Sequence, residues 1–180
     1  MSVLSDWSGQ VFVLKVGGAP IRERHTLDAL LTDVQVLQRA GARVVLMHGG
    51  GPQATQLTES LGLKPNILGG RRITNAAVLE VMKMTLAGSV SVDILARCRA
   101  LGIPAVGAPG VAADFIQAVR RPPRVVSGCG DAPVDFGEVG DIDAIGTGLI
   151  DHLCEGGYLP VLSSLGADAQ GQVLNINADI

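Results

Sequence analysis

The sequence predicts an α/β protein, a three-layer α/β/α sandwich with a mainly parallel central sheet and additional β-hairpins. Two observations support this prediction. Strand-like and helix-like segments alternate along the 180 residues, which is the order expected of a parallel sheet with crossover helices. The predicted strands are also continuously apolar, as expected when helices cover both faces of a sheet. A chain of this length is expected to form one domain, residues 1–180.

Two strand–glycine–helix units make up the first third of the chain. The apolar run VFVLKVGG at 11–18 predicts a buried strand that ends in a tight loop. A helix is predicted over about 26–40 from the helical spacing of its leucines and valines. A second strand at 43–47 runs into three glycines, and Pro52 then starts a helix that ends near Gly62.

The remaining elements are predicted from turn residues and apolar runs. In order, they are an exposed loop or hairpin at 63–75, a long helix at 76–101, a strand at 103–108, an antiparallel excursion at 111–140, a helix at 143–155, a strand at 158–164 and a hairpin at 166–179. Helix 76–101 has little polar surface, so it is predicted to be buried nearly all round. Its pattern fits either a face that meets a second subunit or a central core helix in a monomer.

Composition excludes several classes of function. Hydrophobic residues make up 47% of the chain, but no apolar run approaches the length of a membrane span. The first residues lack a secretory signal, so a cytoplasmic protein is expected. Three cysteines without a paired motif support neither a disulfide framework nor a metal site. The net charge is −3, and the one basic run, RRPPR at 120–124, is expected to be a solvated hairpin, so no nucleic-acid partner is predicted.

The glycine pairs and triplets that end the first two strands predict an anion site. Carboxyl ends of parallel strands meet at one edge of a sheet, where ligands of such sheets bind. Gly17 and Gly18 would join the run Gly49–Gly51 there, and bare backbone N–H groups can converge on phosphate oxygens. Lys15, a lysine within an apolar strand, reaches the same edge and is a candidate partner for a phosphoryl group.

Other candidate residues lie in the hairpin region and near the end of the sequence. Arg72 could bind a carboxylate with two parallel hydrogen bonds, although Arg71 and Arg72 could equally be a solvated pair. Asn175, Asn177 and Asp179 alternate with other residues, which predicts one polar face that either meets a ligand or faces solvent. His48 is predicted to be a structural hydrogen-bonding residue, because no catalytic partner follows from its spacing.

A series of motifs resembles the amino acid kinase superfamily, and within it most closely the acetylglutamate kinases. The resemblance covers residues 11–180. In order, the motifs are LKVGG, HGGGPQ, GGRRIT, LAG, GEVGDI, GGYLPVLSS and GQVLNINAD. It implies transfer of a phosphoryl group from ATP, with Mg2+ carried by the nucleotide, to the side-chain carboxylate of N-acetyl-L-glutamate, a step of arginine biosynthesis. No metal ligands are expected from the protein itself.

The resemblance also implies roles for individual residues. Lys15 corresponds to the lysine that neutralises the transferred phosphoryl group, and Asp179 to the aspartate that orients catalytic lysines. Arg72 corresponds to the arginine on the substrate α-carboxylate, and Asn175 to the asparagine beside it. The phosphate and substrate loops are represented by the five glycines Gly17, Gly18, Gly49, Gly50 and Gly51.

Members of this family continue beyond the last motif into a nucleotide-binding lobe that these residues do not contain. The chain is therefore expected to be the amino-terminal, substrate-binding and dimerisation lobe, inactive as a kinase by itself. A homodimer through helix 76–101, insensitive to arginine, is expected. Two alternatives are a non-catalytic binding or dimerisation module and a kinase of a related carboxylate, namely aminoadipate, glutamate or aspartate.

Overall fold

A parallel sheet lies at the centre of the protein, whose computed structural model describes residues 7–128 and 130–179. In chain order, the strands are β1 (Val11–Val16), β2 (Arg43–His48), β3 (Ile67–Leu68), β4 (Arg71–Arg72), β5 (Ala105–Pro109), β6 (Ile116–Arg120), β7 (Gly140–Ile145), β8 (Leu159–Ser163), β9 (Leu165–Ala167) and β10 (Val173–Asn175). The helices are α1 (Gly18–Arg22), α2 (Arg24–Arg39), α3 (Gly51–Ser60), α4 (Ala76–Lys83), α5 (Ser91–Ala100) and α6 (Gly148–Glu155).

Four strands form the central sheet in the order β1-β2-β8-β5, and each neighbouring pair is parallel. Leu31 and Val34 of α2 pack with Ile94 and Cys98 of α5 in the largest core cluster, which also holds apolar residues of the sheet. Ile150 of α6 belongs to a different cluster, with β-strand residues from the alternate positions. The three-layer α/β/α arrangement predicted from the sequence is confirmed. The prediction that the first strand is buried is wrong, because β1 lies at the edge of the sheet and its Val11 and Val13 are 59% and 69% exposed.

The predicted helix 76–101 is present over nearly its full length but is not uniform. The prediction that it is buried nearly all round is wrong, because one face packs on the core while Met84 and Val92 on another face are 50% and 59% exposed. It consists of α4, a π-helical segment Met84–Val90 and α5. Gly88 has φ −102° and ψ −106°, outside the helical region, and bends the helix at this point. Asn75 caps the start of α4, because its side-chain oxygen accepts a hydrogen bond from the N–H of Val78 at 2.9 Å.

A second sheet contains the hairpins of the second half, in the order β10-β9-β6-β7. Here the prediction of a helix starting at 143 is wrong, because β7 pairs antiparallel with β6 through Ile145 and α6 begins only at Gly148. Pairing between distant strands outweighs the helical spacing within the segment. The predicted hairpin near the end of the chain is confirmed as the antiparallel pair β9 and β10. Within the described residues, no helix has the length and apolarity needed to cross a bilayer.

Candidate active site

A cavity of about 620 Å³ opens at the carboxyl ends of β1 and β2. It brings together every site residue predicted from the sequence, namely Lys15, Gly17, Gly18, Gly49, Gly50, Gly51, Arg72, Asn175 and Asp179. These residues come from four separate stretches of the chain, so the folded sheet and its hairpins are needed to assemble them. Their chemical roles remain predictions.

The two glycine loops pack directly against each other on one wall of the cavity. A Cβ atom added at Gly18 would lie 2.7 Å from Cδ of Pro52 and 3.2 Å from Cα of Gly50, so only glycine allows this approach. Gly51 differs, because a Cβ there would meet no protein atom within 4 Å. Gly18 is therefore required by the packing of the loops, whereas Gly51 leaves bare backbone beside the cavity.

Helix α3 begins beside the cavity. Gly50 is its N-cap residue, and in the part of the chain that the structure describes no side-chain cap hydrogen bond is formed there. The first N–H groups of a helix lack partners within the helix and carry a partial positive charge. This end of α3 can therefore bind an anion such as a phosphate or a carboxylate.

Arg72 is positioned by a short hairpin that turns at Gly69 and Gly70, both with positive φ. Its Nη2 donates hydrogen bonds to the carbonyl oxygen of Gly51 at 3.1 Å and to Oγ1 of Thr55 at 2.7 Å. Nη1 is buried and has no hydrogen-bond partner among the described residues. Burial also lowers the pKa of this guanidinium. One side of Arg72 is thus fixed on α3, and the other is available to an acceptor from a ligand.

Lys15 and Asp179 form an ion pair across the mouth of the cavity. The side chains of both residues are partly exposed, 42% for Lys15 and 64% for Asp179, so this pair is accessible to solvent and to a ligand. Asn175 lies deeper, at the end of β10, and its Nδ2 donates to Oγ1 of Thr74 at 3.2 Å. Asn177 also lines the cavity but follows the strand, and its side chain accepts from the N–H of Asp179.

His48 lies beneath the second glycine loop and is completely buried. Its Nδ1 is 3.1 Å from the carbonyl oxygen of Gly49, while Nε2 has no hydrogen-bond partner among the described residues. Desolvation by burial lowers the pKa of the imidazole, which keeps the ring neutral. This environment is consistent with the structural role predicted from the sequence.

Sequence reasoning missed Arg121, which lines the cavity with its side chain only 4% exposed. The prediction that RRPPR forms a solvated hairpin is therefore wrong for this residue, although Arg120 and Arg124 are partly exposed. Burial of Arg121 depends on an ion pair with Asp141, twenty positions away. No local pattern distinguishes it from its two neighbouring arginines.

The fold and the cavity define a class of protein, an α/β sandwich in which two glycine loops and an arginine line one cavity at the carboxyl ends of parallel strands. The model of the Amino acid kinase family matches residues 10–180, and the chain belongs to that family. Among curated relatives, the chain is similar to the acetylglutamate kinases of Sorangium cellulosum (strain So ce56) and Anaeromyxobacter sp. (strain Fw109-5). Identity is 48% over 167 residues in the first case and 46% over 170 in the second.

These alignments cover most of this chain but only part of each relative. They include 93% and 94% of the chain, against 58% and 62% of the Sorangium and Anaeromyxobacter proteins. The chain thus spans about three-fifths of the length of the curated relatives it matches.

Solved structures show the same fold. The protein smu.665 of Streptococcus mutans UA159 superposes with a TM-score of 0.80 and 25% identity, over 94% of this chain and 64% of that one. N-acetylglutamate synthase of Neisseria gonorrhoeae, solved with coenzyme A and N-acetyl-glutamate, gives a TM-score of 0.75 at 24% identity. That match covers 97% of this chain and 38% of the synthase.

Proposed function

We propose that this chain binds N-acetyl-L-glutamate and supplies the substrate lobe for phosphorylation of its side-chain carboxylate by ATP, as in acetylglutamate kinases. The observation that carries this proposal is the single cavity in which Arg72, Lys15 and two glycine loops meet. The similarity to curated acetylglutamate kinases supports the same reaction. The reaction would place the protein in arginine biosynthesis, and its cytoplasmic location remains a prediction.

The carboxylate-binding part of the proposal depends on Arg72. Its Nη1 has no protein partner among the described residues and can donate to the α-carboxylate of the substrate. Asn175, whose Nδ2 already donates to Thr74, presents a side-chain oxygen that can accept from an N–H of the substrate. Together these groups would hold the amino-acid end of the substrate while its side chain extends toward Lys15.

The phosphoryl-transfer part of the proposal depends on positive charge and backbone donors. A carboxylate is already a nucleophile, so the reaction needs in-line positioning and charge neutralisation more than a general base. ATP with Mg2+ would supply the phosphoryl group. Lys15 would neutralise the charge that develops on the transferred group, Asp179 would orient the ammonium, and the N–H groups of the glycine loops would hold its oxygens.

We propose that most contacts with the nucleotide are made by a part of the family fold that this chain does not span. Two observations support this assignment. The chain spans about three-fifths of its curated relatives. In addition, a second groove beside Lys15 is lined mainly by apolar side chains. Two of them on the edge strand β1, Val11 and Val13, are 59% and 69% exposed, as expected of a surface that further residues cover.

A homodimer is the assembly that we propose for this lobe, formed through helix 76–101. Met84 and Val92, on the outer surface of this bent helix, are 50% and 59% exposed. Exposed large apolar residues on one helix are typical of a surface that packs against a partner.

One alternative function is that of a non-catalytic module that binds an acyl amino acid in the same cavity. The partial coverage of the relatives favours it for these 180 residues taken alone. Aminoadipate, glutamate and aspartate kinases are further alternatives within the family, and they differ in the ligand that the cavity should prefer.

Calorimetric titration of the 180-residue chain tests the proposal directly. N-acetyl-L-glutamate should bind, whereas L-aspartate and L-glutamate should bind much more weakly. Titration with Mg2+–ATP should give little or no heat, because most nucleotide contacts are assigned elsewhere. Absence of N-acetyl-L-glutamate binding would contradict the proposal for this chain, and tight ATP binding would contradict the assignment of the nucleotide site.

A further inference from the structure

Arg121 is a buried cation that none of the roles above uses. It is the one charged side chain among the fully buried residues of the described parts of the chain, and it lines the substrate cavity. Burying an ionised group is costly unless it is paired, so its charge must be compensated nearby. The contacts around Arg121 show that this compensation is incomplete.

Two arginines share one carboxylate beside the cavity. Nε of Arg121 donates to Oδ1 of Asp141 at 2.8 Å, and Nη2 of Arg121 lies 2.7 Å from the same oxygen in an ion pair. Nη2 of Arg124 donates to Oδ2 at 2.6 Å. Two positive charges and one negative charge leave a net positive charge on the cluster. Arg124 and Asp141 are 41% and 30% exposed, so water can solvate them, whereas Arg121 has almost no contact with solvent.

The guanidinium of Arg121 also has an unused donor group. Nε donates to Asp141 and Nη2 to the carbonyl oxygen of Gly140, while Nη1 has no hydrogen-bond partner in the described parts of the chain. Arg121 lines the cavity, so a guanidinium donor without a protein partner there can bind an acceptor of a ligand. The surplus charge and the free donor both favour an acceptor within the cavity.

Backbone hydrogen bonds connect Arg121 to the wall that carries Asn175. The N–H of Arg121 donates to the carbonyl oxygen of Val139 at 2.8 Å. Val139 forms a parallel bridge with Asn175, whose own N–H donates to Glu138 at 2.9 Å. Arg121 is therefore held on the same wall as the residue proposed to contact the amino-acid end of the substrate.

We propose that Arg121 is a specificity-determining residue that donates to the acyl carbonyl oxygen of the substrate and selects acylated over free amino acids. This inference rests on the proposed function. Arg72 and Lys15 account for the two carboxylates of an acyl dicarboxylic amino acid, and the amide oxygen is the acceptor that remains. A free amino acid carries an ammonium at the same nitrogen, and a weakly compensated guanidinium nearby repels it.

The test compares Arg121→Gln with Arg124→Gln by calorimetry of the 180-residue chain, using N-acetyl-L-glutamate and L-glutamate as ligands. Both variants lose one cation from the same carboxylate, but only Arg121 lines the cavity. Arg121→Gln should weaken N-acetyl-L-glutamate binding at least tenfold and reduce the preference over L-glutamate by a similar factor. Arg124→Gln should change the affinity for N-acetyl-L-glutamate less than twofold, because Arg124 does not line the cavity.

The outcomes distinguish a failure of the role of Arg121 from a failure of the proposed function. Equal effects of the two variants, or an unchanged preference in Arg121→Gln, would overturn the role of Arg121 while leaving the proposed function intact. No binding of N-acetyl-L-glutamate to the unmodified chain would overturn the proposed function and this inference with it. If Arg121→Gln does not fold by circular dichroism, Arg121→Lys decides, since it retains the charge but loses the planar fork. Lysine cannot pair with Asp141 and donate to the acyl oxygen through one planar fork, so an affinity for N-acetyl-L-glutamate that is unchanged in Arg121→Lys would then overturn the inference.

Discussion

At the scale of single residues, one cavity side chain has both a hydrogen-bonded and an unpaired polar atom. This side chain is that of Arg72, with Nη2 bound to α3 and Nη1 without a protein partner among the described residues. His48 lies outside the cavity lining, under the second glycine loop, and is completely buried. Both residues lead to specific predictions, the first for binding and the second for stability.

Arg72→Ala should weaken N-acetyl-L-glutamate binding by about 2–3 kcal/mol, roughly 30- to 150-fold, because a charge-assisted hydrogen bond is lost. Calorimetry measures the dissociation constant. Arg39→Ala is the control, since it removes the same charge from an exposed position at the end of α2. An affinity equal to that of the unmodified chain would exclude Arg72 from the binding site.

His48 should make the protein less stable as the pH falls below about 6.5, the ordinary pKa of histidine. Burial lowers the pKa of His48 in the folded state, so the unfolded state takes up a proton that the folded state does not. The free energy of unfolding from urea titrations should therefore decrease between pH 7.5 and pH 5.5. This decrease should become smaller in His48→Asn and remain in His25→Asn, whose side chain is 85% exposed. Equal pH dependence in both variants would contradict the assignment.

At the scale of elements, the site depends on two loops that come close enough to touch. Gly18 starts α1 and Gly50 caps α3, so each loop also sets the start of a helix. A side chain at Gly18 would meet the ring of Pro52 and the side-chain oxygen of Gln53, whereas a Cβ at Gly17 would meet only Cδ of Pro20 at 3.9 Å.

Gly18→Ala should lower the free energy of unfolding by about 1–3 kcal/mol, because added atoms in a closely packed region force the neighbours apart. Gly17→Ala is the matched control, one position earlier in the same loop, and should change it by less than about 0.5 kcal/mol. Chemical denaturation followed by circular dichroism gives both values. If the two variants are equally stable, the close approach of the loops does not constrain Gly18.

At the scale of the whole molecule, the central sheet brings residues from the beginning, middle and end of the chain to one edge. The hairpin β3–β4 and the end of β10 complete the cavity from outside this sheet. The bent helix on the outer surface carries exposed apolar side chains and is the surface proposed for the second subunit.

Val92→Glu should convert the proposed homodimer into a monomer, because a charge would have to be buried without a partner. Sedimentation velocity should give about 37 kDa for the unmodified chain, twice its mass of 18.5 kDa, and the mass of one chain for the variant. Leu61→Glu, at an exposed position beyond α3, should leave the dimer intact. A monomeric unmodified chain would contradict the proposed interface.

Much of the fold and the candidate site could be predicted from sequence because its signals are local. Apolar strands such as β1 and β8 end at glycines or at polar residues, and parallel strands place their ends at one edge. This rule, together with the ordered motifs, was enough to propose nine residues that the structure then places around one cavity. The start of α6 was predicted too early, because the pairing of β7 with β6 is not visible in the local pattern.

The sequence by itself determined the fold class, the glycine loops and the candidate residues Lys15 and Arg72, since short-range periodicity and motif spacing encode them. Only the tertiary structure decided which arginine of RRPPR is buried, because Arg121 is held by Asp141 from a strand that follows a long excursion. It also decided which donor of Arg72 is free. Burial and hydrogen-bond satisfaction are properties of contacts between distant residues, so they appear only when the chain is folded.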